Sequence, residues 1–125
     1  GDPAVRALVE QSAEEAGELV WSMPLPEELR AGLNTEVADI ANVATGSALG
    51  GMLVAGLFLR EFVGQRSTPD GETSIPWAHL DVAGPASNSG SPFGYTPKGP
   101  TGAVTRTLVR LAMSLDSAEF ARVVQ

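Results

Sequence analysis

The stretch PWAHLDVAG, residues 76–84, decides the fold class of this 125-residue chain. Pro76 and the Gly84-Pro85 pair bound a run in which successive side chains alternate between two faces. One face carries Trp77, His79, Asp81 and Ala83, and the other carries Ala78, Leu80 and Val82. Neither face is typical of a solvent-exposed surface. The segment is therefore predicted to be a central strand with both faces covered.

Helical patterns lie on both sides of this strand. Asp2-Pro3 is a favourable helix start, and apolar residues recur after it at helical spacing. Residues 47–63 predict a helix that is apolar almost all round and therefore buried. Its glycines suggest close packing against neighbouring backbone; they are Gly50, Gly51 and Gly56. Residues 103–115 predict an amphipathic helix, and its expected core stripe is Val104, Leu108, Leu111 and Leu115.

Shorter segments complete the predicted fold. Residues 27–33 suit a short helix, residues 36–43 a short strand, and residues 64–75 and 84–102 polar loops. Helices interleaved with strands predict the α/β class, but a free-standing sheet usually needs three or more strands. All 125 residues are therefore interpreted as one incomplete domain. We expect a partial three-layer domain, with helices packed on a few strands of a larger mixed sheet.

Composition excludes several classes of function. The net charge is −7, and the eight basic residues are scattered, which argues against nucleic-acid binding. The chain has no cysteine, which excludes disulfides and thiolate metal sites. The apolar run at residues 48–59 is shorter than the roughly 20 residues that span a bilayer, and the first residues do not suit a signal peptide. A cytoplasmic protein is expected.

Few side chains suggest chemistry by themselves. His79 and Asp81 share a strand face and could reach one metal ion, but two groups are only half a site. Their simpler interpretation is structural, because buried polar groups normally hydrogen-bond to their neighbours. The glutamates of the first helix are interpreted as a solvated face; they are Glu10, Glu14, Glu15 and Glu18.

Five motifs in order carry a resemblance to a known family. They are WSMPL at 21–25, ADIAN at 38–42, GGMLVAGLFLREFV at 50–63, WAHLDVAG at 77–84 and KGPTGAVTRTL at 98–108. Together they closely resemble the C-terminal part of the leucyl aminopeptidase (cytosol aminopeptidase) family, from about residue 1 to about residue 115.

The resemblance implies a hydrolase, a metallopeptidase that removes N-terminal, leucine-like residues from peptides. In such an enzyme two divalent ions, manganese or zinc, act on the scissile peptide bond. The family also implies a cytoplasmic hexamer. Its metal ligands and catalytic residues lie in motifs upstream of those matched here. The sequence Asn34-Thr35-Glu36 opens like the family's Asn-Thr-Asp-Ala-Glu-Gly-Arg motif but continues differently.

No catalytic residue and no metal ligand is therefore assigned to this chain, and the segment alone is predicted to be inactive. The resemblance places two residues, Ala83 and Ala86, in the wall of the pocket for the substrate's N-terminal side chain. It assigns His79 and Asp81 to holding the strand that carries this wall. The partners implied are peptide substrates, the N-terminal portion of the enzyme and further copies of the chain. The alternative is a free-standing, non-catalytic binding or assembly module derived from the same fold.

Overall fold

The computed structural model describes residues 1–44 and 49–114. In chain order the elements are α1 (Pro3–Ala16), a 3-10 helix (Glu27–Leu33), α2 (Gly51–Arg60), β1 (Gln65–Thr68), β2 (Gly71–Ser74), β3 (Ser87–Asn88), β4 (Gly99–Pro100) and α3 (Thr105–Ser114). Helices and two small antiparallel sheets confirm the predicted α/β mix. The chain forms two compact units: Gly1–Asp2 with Ser22–His79, and Pro3–Trp21 with the residues from Leu80 onward.

In the first unit, α2 packs on the 3-10 helix. Pro26 has an extended conformation, with φ −63° and ψ 124°, and the 3-10 helix begins directly after it. Leu33, Val54 and Leu57 form the buried cluster between the two helices. Partly buried apolar side chains surround it; they are Leu25, Leu29, Ile40, Ala44 and Phe58. Burial of this cluster gives the unit its hydrophobic stabilisation.

Two ion pairs also join these helices. The Arg60 guanidinium donates to both carboxylate oxygens of Glu27, at 2.5 and 2.7 Å, and Arg30 Nε donates to Glu61 Oε1 at 2.7 Å. The hydrogen bond from Arg60 lowers the pKa of Glu27, and that from Arg30 lowers the pKa of Glu61. The pairs are solvent-accessible, so their role is to fix the helix register more than to stabilise the fold.

The glycines of α2 differ in what they do. At Gly56 an added Cβ would lie 2.9 Å from Leu25 Cδ2 and 3.5 Å from His79 Cδ2, so this glycine is closely packed, but against side chains and not against the predicted backbone. Gly50 and Gly51 have no atom within 4 Å of such a Cβ, so the prediction of close packing is wrong for them. Gly50 instead precedes the helix with φ +70°, a conformation that glycine adopts without strain.

In the second unit, α1 packs against α3. The buried residues of α1 are small, namely Val9, Ser12 and Ala13, which lets the helices approach closely. Gly17, with φ +70°, ends α1. The Arg110 side chain of α3 pairs with the Glu15 carboxylate and holds its pKa below the usual value.

Three predicted elements are corrected by the structure. Residues 36–43 and 76–84 are irregular, because no strand among the described residues pairs with either segment. A strand requires inter-strand hydrogen bonds, which local sequence preference cannot replace. Residues 64–75 are not a loop: β1 and β2 pair from Gln65↔Ser74 to Thr68↔Gly71 and form a hairpin.

The helix boundaries are partly corrected. The helix predicted at 47–63 is α2, and it exposes Met52 (50 %) and Leu59 (45 %), so it is less buried than expected. The helix predicted at 103–115 is α3, from Thr105. Its predicted core stripe is wrong at Leu108, which is 47 % exposed, whereas Thr107 is fully buried. Residues 45–48 and Leu115 lie outside the described residues.

None of the helices in the described ranges has the length and apolarity needed to cross a membrane.

Truncating the buried cluster tests this account of the first unit. Leu57→Ala is expected to lower the free energy of unfolding by about 2–5 kcal/mol, because it removes buried methyl groups and leaves a cavity. The matched control on the same helix is Leu59→Ala, where a change below about 1 kcal/mol is expected. Urea unfolding followed by circular dichroism measures both. Equal losses in the two variants would contradict the assigned core.

Candidate substrate-pocket wall

The two predicted wall residues occupy one turn. Ala83 and Ala86 are the first and last residues of a turn at 83–86, and both are exposed. Asp81 Oδ1 accepts a hydrogen bond from the Ala83 amide at 3.0 Å, and the Ala86 amide donates to Val82 O at 2.9 Å. Asp81 therefore shapes the turn through its carboxylate, as aspartate often does. The structure brings Ala83 and Ala86 together on a short, exposed segment.

A second segment supports the same turn. The short strands β3 and β4 pair through Ser87↔Pro100 and Asn88↔Gly99, directly after the turn. The Thr101 amide donates to Ala86 O at 3.1 Å. The Thr101 hydroxyl donates to Pro85 O at 2.5 Å. The backbone of the turn at 83–86 is thus hydrogen-bonded both to Val82, which precedes it, and to Thr101.

His79 has a different environment from Asp81. Its side chain packs near Gly56 of α2, and its Nε2 is buried with no hydrogen-bond partner among the described residues. An orphaned buried nitrogen costs free energy. His79 thus acts here as a packing residue. The segment that precedes the wall is held at its other end by the Asp2 amide, which donates to Trp77 O at 2.8 Å.

The start of α3 is held by one carboxylate, that of Glu18. Glu18 Oε2 accepts hydrogen bonds from the Thr107 amide at 2.8 Å and from the Thr107 hydroxyl at 2.7 Å. Thr107 lies in the first turn of α3, where amides have no partner within the helix and the helix dipole favours an anion. Arg106 Nη2 adds an ion pair with Glu18 Oε1 at 3.5 Å.

These contacts set the direction in which the pKa of Glu18 is shifted. Removal of the carboxylate from water raises its pKa. The Thr107 hydroxyl and amide, the Arg106 charge and the Val104 amide together outweigh that effect and hold the pKa below its usual value. The prediction that Glu18 belongs to a solvated face is wrong: its side chain is only 9 % exposed. Glu18 lies beyond the end of α1, so helical spacing does not describe it.

Tyr95 contacts both the end of α1 and the start of α3. The Tyr95 hydroxyl donates to Gly17 O at 2.8 Å, and the Arg106 guanidinium lies 3.6 Å from the centre of the Tyr95 ring. Such a stacked cation contributes on the order of 1 kcal/mol. Sequence reasoning missed Glu18, Thr101 and Thr107 as structural residues. Each of them acts on a partner distant in sequence, and no local pattern signals such pairing.

The described residues offer no group of three or more metal-ligating side chains. The two-metal site that the family resemblance implies thus finds no ligand set in residues 1–44 and 49–114.

Replacing the Glu18 carboxylate tests its role. Glu18→Gln is expected to lower the free energy of unfolding at pH 7 by about 1–3 kcal/mol, the range for hydrogen bonds to a charged group. Because the folded-state pKa is lowered, this contribution is present above the unfolded-state pKa of about 4.3 and is lost as pH falls through the folded-state value. Urea unfolding at pH 7 and pH 3 measures it. A difference between variant and native chain that does not shrink at pH 3 would contradict this role.

Comparison with known proteins supplies the family. Residues 2–109 match the profile described as the cytosol aminopeptidase family, catalytic domain. A "Probable cytosol aminopeptidase" of Streptomyces coelicolor is 60 % identical over 111 residues, which cover 89 % of this chain and 20 % of the relative. Another so named, of Clavibacter michiganensis subsp. michiganensis, is 53 % identical over 118 residues, covering 94 % of this chain and 24 % of the relative.

A solved structure agrees with these relatives. The bottromycin maturation enzyme BotP superimposes with a TM-score of 0.74 at 34 % sequence identity, over 91 % of this chain and 23 % of that chain. This chain therefore spans about a fifth to a quarter of the length of the proteins that it matches. The family match extends from the start of α1 into α3 and includes the turn at 83–86, so the chain belongs to the cytosol aminopeptidase family, within its catalytic domain.

Proposed function

We propose that this chain is the C-terminal segment of a leucyl aminopeptidase, which hydrolyses N-terminal, leucine-like residues from peptides. The segment contributes scaffold and the substrate-pocket wall at Ala83 and Ala86. The observation that carries the proposal is the family match over residues 2–109, which includes that turn. Exposure of both alanines supports it, since a wall residue must be accessible to substrate.

The metal ligands of such an enzyme are proposed to lie outside the described residues of this chain. The described residues do not fit a two-metal site, so the proposed manganese or zinc ions are held by the remaining portion of the catalytic domain. The chain's own contribution is apolar: two methyl side chains on a turn whose backbone polar groups are paired by Asp81 and Thr101. A small apolar lining suits a leucine-sized side chain.

The location and assembly of the complete enzyme belong to the same proposal. We place it in the cytoplasm as a homo-oligomer, a hexamer, with peptides as its substrates. The second candidate, a free-standing binding or assembly module, has one observation in its favour. The described residues form two compact units, each with its own packed helices.

The exposed apolar side chains favour the enzyme segment over the module. In the first unit, Val37 is 94 % and Leu49 84 % exposed, and in the second unit Leu19 is 103 % and Trp21 84 % exposed. Large apolar side chains that stay this exposed forgo burial, which is the main favourable term in folding. We attribute this surface to contact with the rest of the catalytic domain.

Hydrolysis of leucine p-nitroanilide tests the proposed activity. The chain alone, with manganese or zinc added, is expected to be inactive. A chimera in which this chain replaces the matching segment of the Streptomyces coelicolor relative is expected to hydrolyse the substrate, because the ligands then come from the relative. The unaltered relative is the positive control. An inactive chimera beside an active relative, or metal-dependent activity of the chain alone, would overturn the proposal.

Association state separates the two candidate functions. The chain alone is expected to self-associate, because the apolar side chains above are largely exposed. Light scattering during a thermal melt, with circular dichroism recorded in parallel, measures association and cooperativity together. A monodisperse monomer with a single cooperative transition would favour the free-standing module.

A further inference from the structure

We propose that Thr101 is a positioning residue that sets the side-chain specificity of the pocket wall. This assignment rests on the function proposed above. Thr101 does not belong to the predicted wall, yet its amide and its hydroxyl hold the carbonyls of two consecutive residues of the turn, Ala86 and Pro85. No local pattern in the sequence singles it out.

The Thr101 hydroxyl acts both as a hydrogen-bond donor and as a hydrogen-bond acceptor. It donates to Pro85 O at 2.5 Å, and it accepts from the Ala103 amide at 3.2 Å. A hydroxyl has one proton, so accepting from Ala103 leaves that proton available for Pro85. The hydroxyl therefore has a defined orientation and fixes the distance between the wall and the start of α3.

The Thr101 hydroxyl is the partner of Pro85 in the turn. Pro85 has no amide proton, so its carbonyl is its only backbone hydrogen-bonding group. The Ala86 amide is already paired with Val82 O. Losing the Thr101 hydroxyl would release Pro85 O, which lies between the two wall alanines. The consequence is a shift of Ala83 relative to Ala86, which changes the shape of the pocket.

Thr101 is itself held in place from both directions along the chain. On its N-terminal side, the Asn88 side-chain amide donates to Pro97 O at 3.1 Å, and β4 pairs with β3. On its C-terminal side, Val104 adopts φ +60°, which is unusual for a β-branched residue. Glu18 holds the helical turn that follows through the amide and the hydroxyl of Thr107. A strained residue persists only where its surroundings over-determine it, so the loop is a rigid support.

The test uses the chimera with the Streptomyces coelicolor relative and three substitutions. Thr101→Val keeps the shape and removes the hydroxyl, Thr101→Ser keeps the hydroxyl, and Thr73→Val is a matched control at an exposed threonine of β2. Initial rates with leucine, alanine and phenylalanine p-nitroanilides give kcat and KM for each. If Thr101→Val is insoluble, Thr101→Ala removes the hydroxyl without placing a methyl group beside Pro85.

Thr101→Val is expected to change the leucine-to-alanine ratio of kcat/KM by about threefold or more, the effect of one lost hydrogen bond on wall position. Thr101→Ser and Thr73→Val are expected to keep the native ratio. Hydrogen exchange at the Ala86 and Ala103 amides is expected to rise in Thr101→Val and to stay native in Thr101→Ser.

The outcomes separate the two proposals. An active chimera in which Thr101→Val slows all three substrates equally overturns the specificity role of Thr101 and leaves the proposed function intact. An active chimera in which every variant keeps the native leucine-to-alanine ratio of kcat/KM also overturns the specificity role of Thr101 and leaves the proposed function intact. A chimera that is inactive beside an active relative overturns the proposed function, and with it the role of Thr101 in a pocket.

Discussion

Backbone hydrogen bonding is the constraint on which the rest of this structure depends. The segment at 76–84 has the alternation of a buried strand, but the described residues provide no strand to pair with it. Its peptide groups pair instead with what lies nearby, as the Asp2 amide does with Trp77 O. The strands that do form are a hairpin, whose partners are adjacent in sequence, and a two-residue pair directly after the turn at 83–86.

After residue 82, side chains hydrogen-bond to the backbone and hold its conformation. Asp81 shapes the turn at 83–86, and Thr101 holds that turn from the far side. Glu18 in turn fixes the start of α3 through Thr107. Asp81 and Thr101 hydrogen-bond the turn directly, whereas Glu18 acts on the helix that follows Thr101 in the chain. The methyl side chains of Ala83 and Ala86 make no polar contacts of their own, so the backbone of the turn is held by the residues around it.

Polar contacts matter in this chain because apolar burial is limited. Within the described ranges the buried apolar residues are Val9, Ala13, Leu33, Val54 and Leu57. Many larger apolar side chains are exposed in both units. That imbalance agrees with the coverage of the relatives, of which the chain spans about a fifth to a quarter. A segment of a larger domain keeps apolar faces that the rest of the domain covers.

Local sequence determined the helices and the family, and tertiary structure decided how polar residues are used. Helix α1 starts at Pro3 and α3 spans most of 103–115, because capping, spacing and helix propensity act within a few residues. The motifs identified the cytosol aminopeptidase family for the same reason: they are contiguous stretches. The strands predicted at 36–43 and 76–84 do not form, because a strand needs a partner strand, and its partner can lie far away in the sequence. The burial of Thr107 and Glu18 does not follow from local sequence either, because these two residues contact each other across 89 positions of the chain.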